Sequence, residues 1–344
     1  MDTIHVGLTS FGISSQIFHG PLLKYHDGFC VRKILERVKS RSTDFFPKAE
    51  IVRRYDDLLE DPVIDLVVIN TPDVYHYDMA RKALESGKHV VVEKPFTMTV
   101  SEAQSLIGFA RSEGLMLTVF HNRRWDSDFL TLRNVLMSGV LGKISEFESH
   151  FDRYRTDIVA GSWKEDRVEG TGVLYNLGSH MIDQALQLFG MPHEIFADLR
   201  IIRKGGSVFD YYFLYLYYKD LRVILRSSYL IYENSMKYLV HGTGGTYTKR
   251  GMDPQEDDLA NGLNPTSVGW GEESQENEAT LYTPDKTTRI KGIAGNYMTF
   301  YNNVYAHLHH KEELAVLPEE ASQVIRMIEL ALKSHDEKRV VPVT

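Results

Sequence analysis

Leu66-Val67-Val68-Ile69 contains no polar position, and neither does Val90-Val91-Val92. Side chains alternate between the two faces of a strand, so a strand apolar at successive positions must be covered on both faces. Helices packed on either side of a parallel sheet meet that condition. The surrounding sequence supplies the parts. Ile4 to Leu8, Phe29 to Leu35 and Leu115 to Phe120 read as further strands. Tyr77 to Ser86 reads as a helix stopped by Gly87, and a second helix, capped by Ser101, runs through Ala103, Leu106, Ile107 and Ala110 to Gly114. Strands alternating with helices at this spacing predict an α/β chain whose first part is a doubly wound parallel sheet.

Near residue 122 the pattern changes. Ile144 to Phe151, Glu194 to Arg203, Tyr211 to Tyr218 and Arg222 to Leu230 show longer period-2 segments, which predict a large, mostly antiparallel open sheet. Asn176 to Phe189 reads as a helix between them, residues 250–290 as a polar surface excursion of that sheet, and Glu319 to Ser334 as a terminal helix. A chain of 344 residues suits two domains, and the expected division is 1–121 and 122–344.

Composition narrows the function classes. Apolar residues make up 43% and charged residues 25%, which excludes wholesale disorder. No apolar run approaches the roughly 20 residues of a membrane span, and the N-terminus lacks an export signal, so a soluble cytoplasmic protein is expected. The net charge of −8 argues against nucleic-acid binding. The single cysteine, Cys30, excludes an intrachain disulfide and a multi-cysteine metal site, and its place in Phe29-Cys30-Val31 predicts a buried strand thiol. The histidines show no zinc-ligand spacing, so no metal is expected. No nucleophile elbow is present.

Two groups of residues carry chemistry. After the first strand come Ser10-Phe11-Gly12-Ile13-Ser14-Ser15. A dinucleotide site needs small residues here, for a tight turn and for backbone approach to a pyrophosphate. Ser10, Gly12 and Ser15 occupy the three positions, with glycine only in the middle, so by itself the loop reads equally as a plain strand-to-helix turn. Glu36, 21 residues past Ser15, stands where a carboxylate would take a ribose hydroxyl. Alone it reads as readily as a solvated loop charge. Arg37 and Lys39 follow it and would instead suit the 2′-phosphate of NADP; the set predicts weak discrimination with a slight lean to NAD. The second group is Glu93-Lys94-Pro95, ending the fourth strand. Ligands of open α/β sheets sit outside the carboxyl ends of strands. Lys94 there would polarise a carbonyl or hydroxyl oxygen, with Glu93 holding it in place. Asn70-Thr71-Pro72 occupies the same level after the third strand, followed by His76.

Gly87-Lys88-His89-Val90-Val91-Val92-Glu93-Lys94-Pro95 resembles the signature of the Gfo/Idh/MocA family of NAD(P)-dependent oxidoreductases. The resemblance extends through Thr71-Pro72 with His76, Gly139 to Gly142, Asn122 to Phe129, Gly172 to Gly190, and Gly251 to Glu256, thus nearly the whole chain, and it is strongest to the scyllo-inositol dehydrogenase-like branch. It implies a Rossmann domain with NAD or NADP, and a C-terminal α/β domain that binds substrate and joins subunits into a homodimer or homotetramer. It also implies cofactor contacts by Ser10, Phe11, Gly12, Ile13, Glu36, Arg37, Asn70, Thr71, Pro72, His76, Glu93 and Lys94. His180 matches the family's catalytic or substrate-contacting histidine.

Asn176, His180 and Asp183 are spaced to share one helical face. The family usually has aspartate where this chain has Asn176, which can hydrogen-bond a substrate but cannot titrate. Asp183 reads as structural. Asn122 and Arg123 fit cofactor or substrate contact, Trp163 matches a segment near the nicotinamide, and Arg153, Tyr154 and Arg167 fit a sugar pocket; each also fits an ordinary surface or core role. The tyrosine-rich run Tyr211 to Tyr218 reads as sheet face and subunit interface. The expected activity is hydride transfer between the nicotinamide and a secondary alcohol or ketone of a cyclic polyol or sugar, with Lys94 and His180 as catalytic residues beside Asn176. Two other classes stay open: a nucleotide-bound sugar-sensing regulator, and an NAD-dependent glycosidase.

Overall fold

The computed structural model describes residues 3–343 except 160, 162–164, 166–169 and 234. The chain forms two compact units. One gathers Met1–Trp125, Pro254–Trp270 and Asn296–Gln323; the other gathers Asp126–Asp253, Gly271–Gly295 and Val324–Thr344.

The first unit is built on a parallel sheet of β1 (Ile4–Leu8), β2 (Phe29–Leu35), β3 (Glu50–Val52), β4 (Leu66–Ile69), β5 (His89–Val92) and β6 (Leu117–Val119), in the order β3-β2-β1-β4-β5-β6. All four β4 residues are inaccessible to solvent, as their unbroken apolar run requires. β3 was not anticipated: three residues are too few to show a period, and only pairing of Lys33 to Leu35 with Glu50 to Val52 makes it a strand. The helix Val100–Glu113 is capped by Thr99, not Ser101. The Thr99 hydroxyl accepts from the Glu102 N–H, and the Glu102 carboxylate accepts from the Thr99 N–H, a reciprocal capping box. Cys30 is exposed, against expectation. On β2 it is Phe29 and Val31 that turn inward; Cys30 and Arg32 take the opposite face, beyond the reach of β3.

Segments distant in sequence complete this unit. Gln255 donates to the Trp125 carbonyl (3.1 Å) and accepts from Trp270 Nε1 (3.1 Å) and the Tyr297 N–H (2.7 Å). One buried amide therefore fastens three segments. It draws 254–270 into the first unit, so this stretch is not an excursion of the second sheet.

The second unit carries a sheet of β7 (Ile144–His150), β8 (Glu194–Arg200), β9 (Tyr211–Tyr217), β10 (Arg222–Ser228), β11 (Met236–Gly242), β12 (Gly245–Arg250), β13 (Ala279–Tyr282), β14 (Thr287–Ile290) and β15 (Val341–Pro342). Their order is β14-β13-β12-β11-β7-β10-β9-β8-β15; among the described residues only β7 and β10 run parallel. The helices Ser127–Met137 and Ser179–Phe189 belong to this unit. The strands β11 to β14 went unread because their polar and apolar residues do not alternate cleanly. Among the described residues, no helix is long and apolar enough to cross a membrane.

A buried ion cluster closes one end of this sheet. Asp210 accepts from the Ile202 N–H (2.7 Å), the Arg203 N–H (3.1 Å) and Arg203 Nε (2.8 Å), while Arg203 also reaches Glu165 (2.8 Å). Burial opposes the Arg203 charge, but Glu165 and Asp210 more than offset it and hold the guanidinium pKa above its ordinary value. Asp210→Ala is expected to lower stability by about 3–5 kcal/mol, because a buried cation loses a partner. The exposed Lys143–Asp220 pair provides a control: Asp220→Ala should cost under about 1 kcal/mol. Urea unfolding of the two variants measures both; equal midpoints would refute the assignment.

Candidate active site

The strand order of the first unit reverses between β1 and β4, the place where open α/β sheets form their ligand crevice. The chain after β1 is held there by polar bonds. The Thr9 hydroxyl donates to the Val68 carbonyl (3.1 Å), the Ser10 hydroxyl to the Asn70 carbonyl (2.8 Å) and the Ser15 hydroxyl to the Ser10 carbonyl (2.6 Å). The Asn70 amide donates to the Ser10 carbonyl (3.2 Å) and to the Ser15 hydroxyl. Asn70, expected to touch cofactor, is thus buried and employed in shaping the loop. Ser10, Phe11, Thr71 and Pro72 line a cavity of about 430 Å³. Phe11 is packed against Phe45 and Phe46, whereas Ile13 is exposed.

This crevice fits a dinucleotide. A Cβ built on Gly12 would meet only the Ser10 hydroxyl, at 3.8 Å, so the loop backbone is open to close approach. The same cavity continues past Tyr75 and Met79 to Glu36, Arg37, Lys39 and Arg41. Arg41 was not anticipated; cations at 37, 39 and 41, alternating along one segment, were the available signal. Arg37, Lys39 and Arg41 are exposed and make no ion pair among the described residues. Glu36 is buried, and its carboxylate accepts from the Arg41 N–H (2.9 Å), the Ser42 N–H (2.9 Å) and the Ser42 hydroxyl (2.5 Å). Burial raises the carboxyl's pKa, but the bonds from Ser42 and Arg41, with the charge of Arg53, bring it below the ordinary range.

At the end of β5 the Lys94–Pro95 bond is cis, and Lys94 is half-buried. Glu93 is held on both sides. Its Oε1 lies 2.9 Å from His19 Nε2, which must donate because an ionised carboxylate only accepts. Its Oε2 accepts from the Lys94 N–H (3.0 Å). His19 Nδ1 meets the Tyr301 hydroxyl at 2.6 Å. His19 was not among the expected site residues, since a lone histidine in a helical turn gives no signal. His76 bridges the Pro95 carbonyl (2.8 Å) and the Thr71 carbonyl (3.0 Å), joining the ends of β4 and β5 from beneath. Asn122 is buried in a turn of 3-10 helix, and Arg123 pairs with Glu256.

The second unit presents its own polar group. A turn of π-helix, Leu174–Gly178, leads into the helix Ser179–Phe189, so Asn176 lies on the wide turn and His180 on the regular helix. Gly172 opens this segment with φ +97°, and a Cβ there would lie 2.8 Å from the Phe209 carbonyl oxygen. His180 and Asp183 are buried; Asn176 is half-buried. The Arg153 guanidinium lies over the Phe151 ring at 4.5 Å. Tyr154 is half-exposed and sits edge-on to Tyr232. Trp163 and Arg167 lie outside the described residues.

The strand order, the open loop at Gly12 and the long crevice define a dinucleotide-binding fold. Residues 4–121 match the profile of the oxidoreductase family's NAD-binding Rossmann fold, and residues 133–343 match that of its C-terminal alpha/beta domain. The chain belongs to the Gfo/Idh/MocA oxidoreductase family and is an NAD(P)-dependent dehydrogenase. It is similar to the scyllo-inositol 2-dehydrogenase (NADP(+)) IolW of Bacillus subtilis strain 168, 38% identical over 99% of this chain and 96% of the relative. It is 41% identical to the oxidoreductase YdgJ of Escherichia coli K12, over 97% of this chain and 96% of the relative. Among solved structures, an oxidoreductase of Bacteroides fragilis NCTC 9343 superposes with a TM-score of 0.90 at 46% identity, covering 99% of this chain and all of the other.

Burial pushes the Glu93 carboxyl up, but the bond from His19 and the nearby Lys94 charge outweigh it, leaving its pKa below the ordinary value. A depressed folded pKa means that the stabilisation is present above the unfolded value and is lost as pH falls through the folded one. The stability difference between wild type and Glu93→Gln should therefore shrink as pH drops from 6 to below 4. Thermal unfolding across that range checks it; a constant difference would show that Glu93 is not ionised in the fold.

Proposed function

We propose that this chain transfers hydride between a nicotinamide and a secondary hydroxyl or ketone of a cyclic, inositol-like polyol or sugar. The observation that carries the reading is Lys94, at the carboxyl end of β5 on a backbone anchored by Glu93 and His19. The name of the Bacillus relative supports the substrate class. Ser10, Phe11, Gly12, Thr71 and Pro72 would hold the cofactor, which when bound supplies the hydride acceptor or donor. Lys94 orients the reacting oxygen and stabilises the negative charge that grows on it. His180 takes the hydroxyl proton in oxidation and returns it in reduction. Asn176 hydrogen-bonds the same substrate without titrating. NADP is the proposed cofactor, supported by the three cations along the crevice and by the relative's name. A cytoplasmic setting suits that cofactor. Assembly through the second sheet is supported by the aromatic row of β9, where Phe213, Tyr215 and Tyr217 follow one another on one face.

Incubation with free polyols and p-nitrophenyl glycosides tests the reading. Net NAD(P)H formation is expected. Nitrophenol without net reduction would point to a glycosidase, and neither product to a regulator.

Two substitutions test the roles. Lys94→Ala should lower kcat by about 10²-fold or more while cofactor affinity, measured by fluorescence titration, stays within a few-fold. Near-normal turnover would remove Lys94 from the chemistry. Asn176→Asp adds a carboxylate four residues before His180, and a neighbouring negative charge favours an imidazolium. The acidic limb of log(kcat/KM) for oxidation should then move to higher pH. An unmoved limb would show that His180 is not the base or that residue 176 faces away from it.

A further inference from the structure

An acid at the end of β2 ordinarily selects NAD, because it accepts the ribose hydroxyls and repels a 2′-phosphate. Glu36 occupies that position and lines the cavity, but its carboxylate is taken up by the chain that follows it. Its carboxylate lies beneath the following loop, where it accepts from the N–H groups of Arg41 and Ser42 and from the Ser42 hydroxyl. Arg53, just past β3, grips the same loop from the opposite edge. Its guanidinium donates to the carbonyls of Glu36 and Lys39 and to the Ser40 hydroxyl, the last two at 2.6 and 2.8 Å. Ser42 is itself buried, and its carbonyl accepts from the N–H groups of Phe45 and Phe46. The backbone from Glu36 to Ser42 is therefore fixed at both edges. Its side chains Arg37, Lys39 and Arg41 are left exposed along the cavity, with no ion pair among the described residues.

We propose that Glu36 is a positioning residue for a phosphate monoester: it fixes the 37–42 loop so that Arg37, Lys39 and Arg41 face the 2′-phosphate of NADP. The inference rests on the NADP reading above and reverses the usual meaning of an acid at this position. Its three donors occupy the carboxylate, leaving little acceptor capacity for ribose hydroxyls. Three exposed cations would each lose side-chain freedom on meeting a phosphate, and a backbone fixed beforehand reduces the ordering still required. The carboxyl's depressed pKa keeps it ionised through the neutral range.

Calorimetric titration with 2′,5′-ADP and 5′-AMP isolates the 2′-phosphate, the one group by which these probes differ. Wild type should bind 2′,5′-ADP at least about tenfold more tightly, the scale of one charge-assisted contact. Absence of that preference would overturn the NADP reading, whatever Glu36 does. Glu36→Gln keeps the side chain's size but turns one acceptor into a donor facing N–H groups. It should weaken 2′,5′-ADP by roughly tenfold and leave 5′-AMP within a few-fold. Arg41→Gln removes a cation while retaining the backbone N–H that Glu36 holds, and should give the same selective loss. A selective partial loss in Ser42→Ala, which removes only the hydroxyl donor, covers the case of a Glu36 variant that does not fold. The proposal is overturned if Glu36→Gln leaves 2′,5′-ADP unchanged or improves it while weakening 5′-AMP, the result expected of a ribose-reading carboxylate.

Discussion

Burial of β4 between β1 and β5 constrains everything else in the first unit. Its four side chains see no solvent, so helices must lie on both faces of the sheet. With both faces covered, the open places are the strand ends. The carboxyl ends of β1, β2, β4 and β5 therefore carry Ser10, Glu36, Asn70 and Lys94, and the chemistry of the unit collects there. The reversal of strand order between β1 and β4 leaves a crevice at their carboxyl ends, along loops that Asn70 ties to Ser10 and Ser15.

A buried polar group needs partners, and this rule explains which residues hold the loops at the strand ends together. Asn70, His76, Glu93 and Glu36 all stand where a sequence reader expects cofactor contacts. In the structure the bonds described for each run to the protein's own loops: Asn70 to Ser10 and Ser15, His76 to Thr71 and Pro95, Glu93 to His19 and Lys94, Glu36 to Arg41 and Ser42. Loops at strand ends lack the ladder bonds of the sheet, so side chains supply that order instead. The residues beside them, Gly12, Arg37, Lys39 and Arg41, stay exposed, the three cations along the cavity.

The second unit follows a different logic. Its wide sheet is covered by helices that carry buried polar groups such as Asp128, His180, Asp183 and Gln184. Tyr238 donates toward Gln184 (3.0 Å) and Asp128 (3.3 Å), tying β11 to the helices Ser179–Phe189 and Ser127–Met137.

The sequence by itself determined the parallel sheet, the place of Lys94 at a strand end, the small-residue loop after β1 and the family, because each is written in contiguous residues. Four-residue apolar runs and the Glu93-Lys94-Pro95 motif need no distant partner to be read. Tertiary structure alone decided the rest. It made β3 a strand through pairing, exposed Cys30 by the face it takes on β2, and drew 254–270 into the first unit through Gln255. It also engaged the Glu36 carboxylate with the N–H groups of Arg41 and Ser42 and linked Glu93 to His19, 74 residues away. The direction of a carboxylate depends on which donors the folded chain brings near it, and no local pattern of residues records that.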